Sequence, residues 1–202
     1  MTTWNPSDKS ANITLSGGNL TVTCTSNVDG GVRSTISKST GKVYFEYICT
    51  TFNATGGDTG CGIATSSAVL TSIGAVGVGG VITFPSGNTY FNGTNRFSLG
   101  IINNGNILCV AIDITNNLYW IRNGTGNWNG SSTANPATGT GGLDVSGLFS
   151  TNAVFACICE NSTLANISVN FGATAFVQTV PSGFAAWDPA VIAAAFALHP
   201  FV

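Results

Sequence analysis

Charged side chains are scarce in this 202-residue chain, where Asp, Glu, Lys and Arg together make up only 7% of the residues. An average soluble domain has about 25%. The net charge is −2, so the chain has no basic surface that could release counterions from DNA or RNA. We therefore expect no nucleic-acid partner. Charge repulsion between copies is also weak, which favours a protein that works within an assembly.

Residues that carry catalysis or bind metals are equally few. His199 is the single histidine, so a Ser-His-Asp or Cys-His arrangement would depend on the last few residues. Glu46 and Glu160 are the only glutamates, whereas glycoside hydrolysis needs two carboxyl groups that face each other across a cleft. The chain also lacks a Gly-Lys-Ser/Thr phosphate loop, an EF-hand loop and a metal-binding His pair. We expect a protein that is not an enzyme and uses no cofactor or metal.

Segments that would direct the chain to a membrane are missing too. It has no run of about 18 or more apolar residues, so we expect no membrane insertion. The opening Met1-Thr-Thr-Trp-Asn-Pro6 lacks the basic start and apolar run of a secretory signal, which predicts synthesis in the cytoplasm without export.

The six cysteines lie mostly within apolar strand patterns. Cys157 and Cys159 stand two residues apart, so on a strand they project to the same face and cannot easily bond to each other. We expect buried thiols that act as small hydrophobic side chains, with a disulfide framework as the alternative.

What the chain does contain is a succession of short strand patterns separated by Gly, Asn and Ser, with no convincing helix before residue 188. This spacing and the 26 glycines favour an all-β antiparallel sandwich over a βαβ fold. Strands are predicted at residues 20–25, 32–36, 42–52, 62–66, 77–84, 97–102, 107–114, 118–122, 153–160 and 166–171.

The most informative stretch is 106–124, which predicts a β-hairpin with two different arms. Its first arm is almost continuously apolar, as in a strand covered on both faces. Asn116-Asn117 can supply the positive φ of the turn, and the second arm, Leu118-Tyr-Trp-Ile-Arg122, has the aromatic and β-branched residues that suit a sheet.

This hairpin resembles the centre of a SPRY domain, the core of the B30.2 family. Further landmarks of that family lie before and after the hairpin, in the order in which the family has them. They are Ser39-Thr-Gly-Lys-Val-Tyr-Phe-Glu-Tyr47, Cys61-Gly-Ile-Ala64, Val169-Asn-Phe-Gly172, Phe176 and Pro181-Ser-Gly-Phe184. The resemblance implies a concanavalin-like jelly-roll sandwich over residues 1–187. It also implies that Glu46 and Asp113 hold the framework together by hydrogen bonds.

Residues 188–202 break the strand pattern. Asp188 as N-cap, Pro189 as first helical residue and the alanines that follow predict a short helix. This helix would be apolar nearly all round, so it needs cover from its own sandwich or from a neighbouring subunit. In the second case the assembly contacts would be Val191, Ile192, Phe196, Leu198 and Phe201.

SPRY domains generally bind partners through loops at one edge of the sandwich, so the resemblance implies a binding module. The sparse charge and the opening Thr3-Trp-Asn-Pro-Ser-Asp-Lys-Ser10 are similar to SPRY-like proteins of bacteriophages and prophages, which implies a place in a virion among other virion subunits. The candidate binding loops are 53–60, 86–95 and 124–142. Trp128 either packs the third loop on the body or stands open for a ligand.

Two functions fit these observations. In the first, the protein recognises a host surface glycan or protein, because loop aromatics can stack on sugar rings while polar side chains bind hydroxyl groups. The residues predicted to do this are Trp128, Tyr90, Phe91, Asn92, Asn127 and Asp58. In the second, the protein is a capsid decoration or tail component, a homo-oligomer or other assembly part, that acts through subunit contacts alone.

Overall fold

A computed structural model describes residues 1–52, 59–149 and 153–188 of the chain. The regular elements in these residues are almost all strands, with one four-residue helix, α1 (Ser146–Phe149), and two 3-10 turns, Trp128–Gly130 and Pro136–Thr138. The strands are β1 (Trp4–Lys9), β2 (Ile13–Ser16), β3 (Thr21–Cys24), β4 (Gly30–Ser34), β5 (Lys42–Thr51), β6 (Gly60–Thr65), β7 (Gly80–Thr83), β8 (Asn88–Phe91), β9 (Thr94–Ser98), β10 (Asn106–Asp113), β11 (Leu118–Asn123), β12 (Leu143–Asp144), β13 (Val154–Glu160), β14 (Asn166–Asn170) and β15 (Ala185–Ala186).

The strands form two sheets. The first sheet has the order β1-β4-β13-β6-β7-β8-β9, and the second has the order β12-β11-β10-β5-β14-β3-β2. The pairs along both sheets are antiparallel, while β15 lies parallel to β5 beside the second sheet. This architecture confirms the predicted all-β antiparallel sandwich. None of the helices among the described residues has the length and apolar character to span a bilayer.

Alternating residues of β5 explain how the two sheets hold together. Val43, Phe45, Tyr47 and Cys49 are buried in the core between the sheets, as the two-residue period of a strand requires. Tyr47 also reaches the first sheet, where its hydroxyl lies 2.7 Å from the carbonyl oxygen of Gly62 and can donate to it. The aromatic side chains that surround Phe45 and Tyr47 are Trp4, Phe171 and Trp187.

The predicted hairpin is confirmed as β10 and β11, with Leu108 paired to Asn123 and Asp113 paired to Leu118. Asn117 has a φ of +57° in the turn. Asp113 accepts hydrogen bonds from Asn116 and forms an ion pair with Lys42, whose ammonium nitrogen is 3.2 Å away. Burial would raise the pKa of Asp113, but these hydrogen bonds and the Lys42 charge outweigh it and hold the pKa below its ordinary value. The expected structural role of Asp113 is thus confirmed.

Several predicted boundaries were wrong. The region 86–95 is not one loop, because it contains β8 and the start of β9, joined by Asn92 and Gly93 at positive φ values of 50° and 72°. This is the Asn-Gly hairpin signal within an otherwise polar sequence. The strand predicted at 97–102 lies instead at Thr94–Ser98, and the strand predicted at 77–84 begins only at Gly80, since Gly77 has a φ of +72°.

β1 and β2 were not predicted at all. Pro6 lies in β1, which is an edge strand of the first sheet, and an edge is where a strand tolerates proline. The predicted C-terminal helix with its contacts Val191, Ile192, Phe196, Leu198 and Phe201 lies outside the described residues and stays a prediction.

All six cysteines are buried thiols, as predicted. Burial raises the pKa of Cys61 and Cys157, so these side chains stay protonated and unreactive at neutral pH.

Candidate functional site

Residues 66–79 connect β6 to β7 by crossing the outer face of the first sheet. Ala68 and Ile73 of this segment are buried against Ala64, Ile82 and Cys157 of the sheet. We call residues 66–79 the covering segment.

Glycines in the sheet make this close approach possible. A Cβ atom at Gly31 would lie 2.7 Å from the carbonyl oxygen of Leu70, and one at Gly80 would lie 2.6 Å from Cγ2 of Ile73. Side chains at these positions would lift the covering segment off the sheet.

Arg33 fastens the start of the covering segment. Its Nη1 donates to the carbonyl oxygens of Thr65 and Ala68, at 3.2 and 2.8 Å. The other side of the guanidinium forms a bidentate pair with Asp8, with distances of 2.8 and 2.9 Å. One buried cation therefore joins β1, β4 and the start of the covering segment through charge-assisted hydrogen bonds.

A groove with a volume of about 240 Å³ lies between the covering segment and the outer side chains of the first sheet. Its surface is mainly apolar, and Tyr90 packs against Phe84 in an edge-to-face contact with ring centroids 5.8 Å apart. The lining residues are Asp29, Thr71, Ser72, Ile73, Gly74, Ala75, Phe84, Tyr90, Gly93 and Cys159. We call this site the outer groove.

Exposed aliphatic side chains adjoin the outer groove. Val76 is 77% exposed and lies against Gly93, where an added Cβ would come within 2.4 Å of its Cγ2. Val28 is 64% exposed and directly precedes Asp29. A groove of apolar side chains with apolar residues beside it is typical of a surface that binds another molecule.

Sequence reasoning placed Tyr90 in a binding site but missed Asp29, Ile73 and Phe84. The available signal was the covering segment itself. It has 14 residues with well-spaced aliphatic side chains, which a simple turn between two strands does not need.

Phe91 and Asn92 lie elsewhere. Phe91 follows Tyr90 on β8 and so points to the opposite face, and Asn92 lies in the turn after β8. They line a second concavity of about 190 Å³ together with Gly77, Val78, Gly79, Gly147 and Leu148. The Phe91 ring also contacts Arg96, whose guanidinium carbon is 5.3 Å from the ring centroid.

Trp128 lies on the outer face of the second sheet and is 8% exposed. The Arg122 guanidinium carbon is 4.4 Å from its ring centroid, so the Trp packs its loop on the body, the first of the two predicted alternatives. The neighbouring Asn129 holds the same loop, since its side chain accepts from the amide of Ile121 and donates to Tyr119 and Gly141. Asn127 is exposed.

The predicted ligand residues are therefore divided between several surfaces. Tyr90 and Trp128 lie on the outer faces of different sheets, so no single contact surface includes both. Asp58 lies outside the described residues. Their roles in binding stay predictions.

Glu46 points to the outer face of the second sheet and is fully buried. Its carboxyl oxygens accept hydrogen bonds from the Tyr44 hydroxyl and from the amides of Val177 and Gln178, all at 2.8 to 2.9 Å. The predicted framework role of Glu46 is thus confirmed, because it fastens the C-terminal segment to β5.

Glu160 ends β13 and is fully buried. The Thr59 hydroxyl donates to its Oε2 at 3.4 Å, and no residue in the described part of the chain makes a hydrogen bond to Oε1. Burial raises the pKa of Glu160 to about 8. One isolated carboxyl group does not make a metal centre, and the described ranges contain no group of three or more His, Cys, Asp or Glu that could hold a metal ion.

Comparisons with known proteins give likeness in structure alone. No protein-family model matches the sequence, and no curated protein matches it either. The SPRY domain of human HERC1 superposes with a TM-score of 0.63 and 12% identity, over 82% of this chain and 96% of that domain.

Two further solved structures agree. The TRIM65 PSpry domain has a TM-score of 0.59 and 13% identity, over 84% of this chain and 91% of its own. A human SPRY domain has a TM-score of 0.55 and 14% identity, over 83% of this chain and 99% of its own. The landmarks at residues 39–47, 61–64 and 106–124 lie on or beside β5, β6, β10 and β11, and the chain has a SPRY-like fold.

Proposed function

We propose that this protein is a non-catalytic protein-binding module whose outer groove accepts an apolar peptide segment of its partner. The observation that carries the proposal is a mainly apolar groove beside exposed valines on a surface fixed by Arg33. The SPRY-like fold supports it, since such sandwiches present binding surfaces on a rigid frame.

The chemistry of the groove favours a peptide over a sugar. Sugar sites combine an open aromatic face with several polar side chains that bind hydroxyl groups. The outer groove has some polar side chains, such as Thr71 and Ser72, but its surface is mainly apolar, and Tyr90 packs edge-to-face with Phe84. Aliphatic peptide side chains would instead gain from burial against Ile73, Ala75 and the adjoining Val76.

We expect Tyr90→Glu to weaken peptide binding at least tenfold, because it places a charge in the apolar groove. The test is to pan a display library of random 12-residue peptides on the full chain. Synthetic copies of the enriched peptides are then titrated into the wild type and the variant.

Thr94→Glu is the matched control, since it adds the same charge at an exposed position on β9 outside the groove lining. It should bind as the wild type does. Circular dichroism and thermal unfolding check that both variants fold. Equal affinity of folded Tyr90→Glu and wild type for every enriched peptide would contradict the proposal.

We also propose, from the sparse charge and the resemblance to phage proteins, that the module works in a virion and contacts other virion subunits or a host surface molecule. Immunogold labelling of particles from cells that carry the gene should find the protein on the particle. Label at the tail tip would support recognition of a host surface protein or glycan, and label over the shell would support capsid decoration. Particles without label would contradict a place in the virion.

A further inference from the structure

We infer that the partner segment in the outer groove carries a cationic side chain, Lys or Arg, at the end that meets Asp29. This inference rests on the proposed function and specifies its ligand. Asp29 is the only charged residue among those that line the groove. It is exposed, and its carboxylate accepts a hydrogen bond from the neutral amide of Asn161, whose Nδ2 lies 2.9 Å from Oδ1.

None of the Lys and Arg side chains in the described residues forms an ion pair with Asp29. All six Lys and Arg residues of the chain lie in the described ranges. The ion pairs found there are Arg33 with Asp8 and Lys42 with Asp113. Arg122 lies over Trp128 and Arg96 over Phe91. The Asp29 charge is therefore available to a cation from outside.

The position of Asp29 also gives the bound segment a direction. Asp29 precedes Gly30, which pairs with Glu160 at the end of β13. Gly93 lies two residues after Phe91, and Phe91 pairs with Val81 near the start of β7. Since β7 and β13 both pair antiparallel with β6, Asp29 and Gly93 lie at opposite ends of the groove. One end thus selects a positive charge, and the other end, beside Val76, is apolar.

The gain from this contact is mainly selectivity. An exposed ion pair adds only about two- to fivefold to affinity, because water and salt screen it. A negative charge on the ligand at the same place is repelled by Asp29 and lowers affinity. The affinity ratio between a cationic and an anionic ligand therefore exceeds either effect alone. We expect a ratio of about tenfold at low ionic strength.

A second copy of this chain is the main competing occupant. Its apolar residues 189–202 contain no Lys or Arg, so they lack the group that Asp29 selects. Competition by a synthetic peptide of these residues tests this alternative directly. If that peptide binds the groove better than every lysine-bearing peptide, the inference is overturned.

The decisive experiment uses two peptide libraries on the full chain at low salt. Both have five variable positions drawn from Val, Leu, Ile, Phe and Thr. In both libraries the α-amine of the first residue is acetylated. That residue is Lys, with its side-chain ammonium free, in one library and Glu in the other. The wild type should enrich the Lys library about tenfold over the Glu library. Asp29→Asn should lose most of the preference, and Asp29→Lys should reverse it.

Asp144→Lys is the matched control, since it makes the same change of charge at an exposed residue of β12 in the other sheet. It should leave the preference unchanged. Binding that depends on Tyr90 but shows no Lys preference would overturn this inference and leave the proposed function standing. No binding that depends on Tyr90 would overturn the proposed function itself.

Discussion

Replacing Glu160 by Gln is expected to stabilise the protein by about 4 kcal/mol at pH 8 and to leave its stability almost unchanged at pH 4. The cause is burial, which raises the pKa of the Glu160 carboxyl from 4.5 to about 8 in the folded protein. In the unfolded chain the carboxyl is in water and has its ordinary pKa.

The sign of the pH dependence follows from the proton count. Below about pH 4.5 both states hold the proton, so the carboxyl and the Gln amide are both neutral. Between pH 4.5 and 8 the folded protein keeps a proton that the unfolded chain has released. The free energy of unfolding therefore falls as the pH rises, by about 1.4 kcal/mol per unit, until the folded carboxyl also ionises. Gln has no such titration.

Urea unfolding at pH 4.5, 6, 7 and 8 measures the difference. Asp29→Asn is the matched control, since it removes an acid of equal charge from an exposed position. We expect the gap between Glu160→Gln and the wild type to widen steadily with pH, and to exceed the gap for Asp29→Asn at pH 8. A gap for Glu160→Gln that does not change between pH 4.5 and 8 would show that the carboxyl titrates normally.

The central hairpin and the framework acids could be predicted from sequence because their signals are local. An apolar arm, two asparagines and an aromatic arm determine β10 and β11 within 18 residues, and Asp113 stands where the first arm ends. Glu46 was predicted from its place in the Gly-Lys-Val-Tyr-Phe-Glu landmark. Its partners Val177 and Gln178, about 130 residues away, could not be seen in that pattern.

The outer groove could not be predicted, because its lining comes from separate parts of the chain. Asp29 precedes β4, Ile73 belongs to the covering segment, Tyr90 lies on β8 and Cys159 on β13. Only the pairing order β4-β13-β6-β7-β8 brings these strands together, and this order does not follow the order of the sequence. The start of the predicted strand at 77–84 was wrong because positive φ at Gly77 is invisible in an apolar run.

The two sheets differ in how their outer faces are covered. The outer face of the second sheet carries large rings, with Phe176 packed on Tyr44 and Phe184 packed on Trp120. On the outer face of the first sheet, Ala64 and Cys157 lie below the aliphatic covering segment. The groove lies beside them, where Ile73 and Ala75 of that segment meet Phe84 and Tyr90.

Glu46→Gln is expected to lower the free energy of unfolding by about 3 kcal/mol, although the two side chains have nearly the same shape. Glu46 accepts three hydrogen bonds, from the Tyr44 hydroxyl and the amides of Val177 and Gln178. The Gln amide offers one oxygen and places an NH2 group against a donor. At least one buried donor then loses its acceptor, which costs about 1 to 3 kcal/mol by itself.

The damage should be concentrated in the C-terminal segment, because two of the three donors belong to it. Limited proteolysis should therefore cut Glu46→Gln between residues 173 and 186 well before the wild type, while urea unfolding reports the loss for the whole domain. Val177→Thr is the matched control. Its side chain is 66% exposed and only its backbone amide contacts Glu46, so it should unfold and resist protease as the wild type does. A loss below about 1 kcal/mol with unchanged cleavage would mean that the rings of Phe176 and Phe184, packed on Tyr44 and Trp120, hold the segment without the carboxyl group.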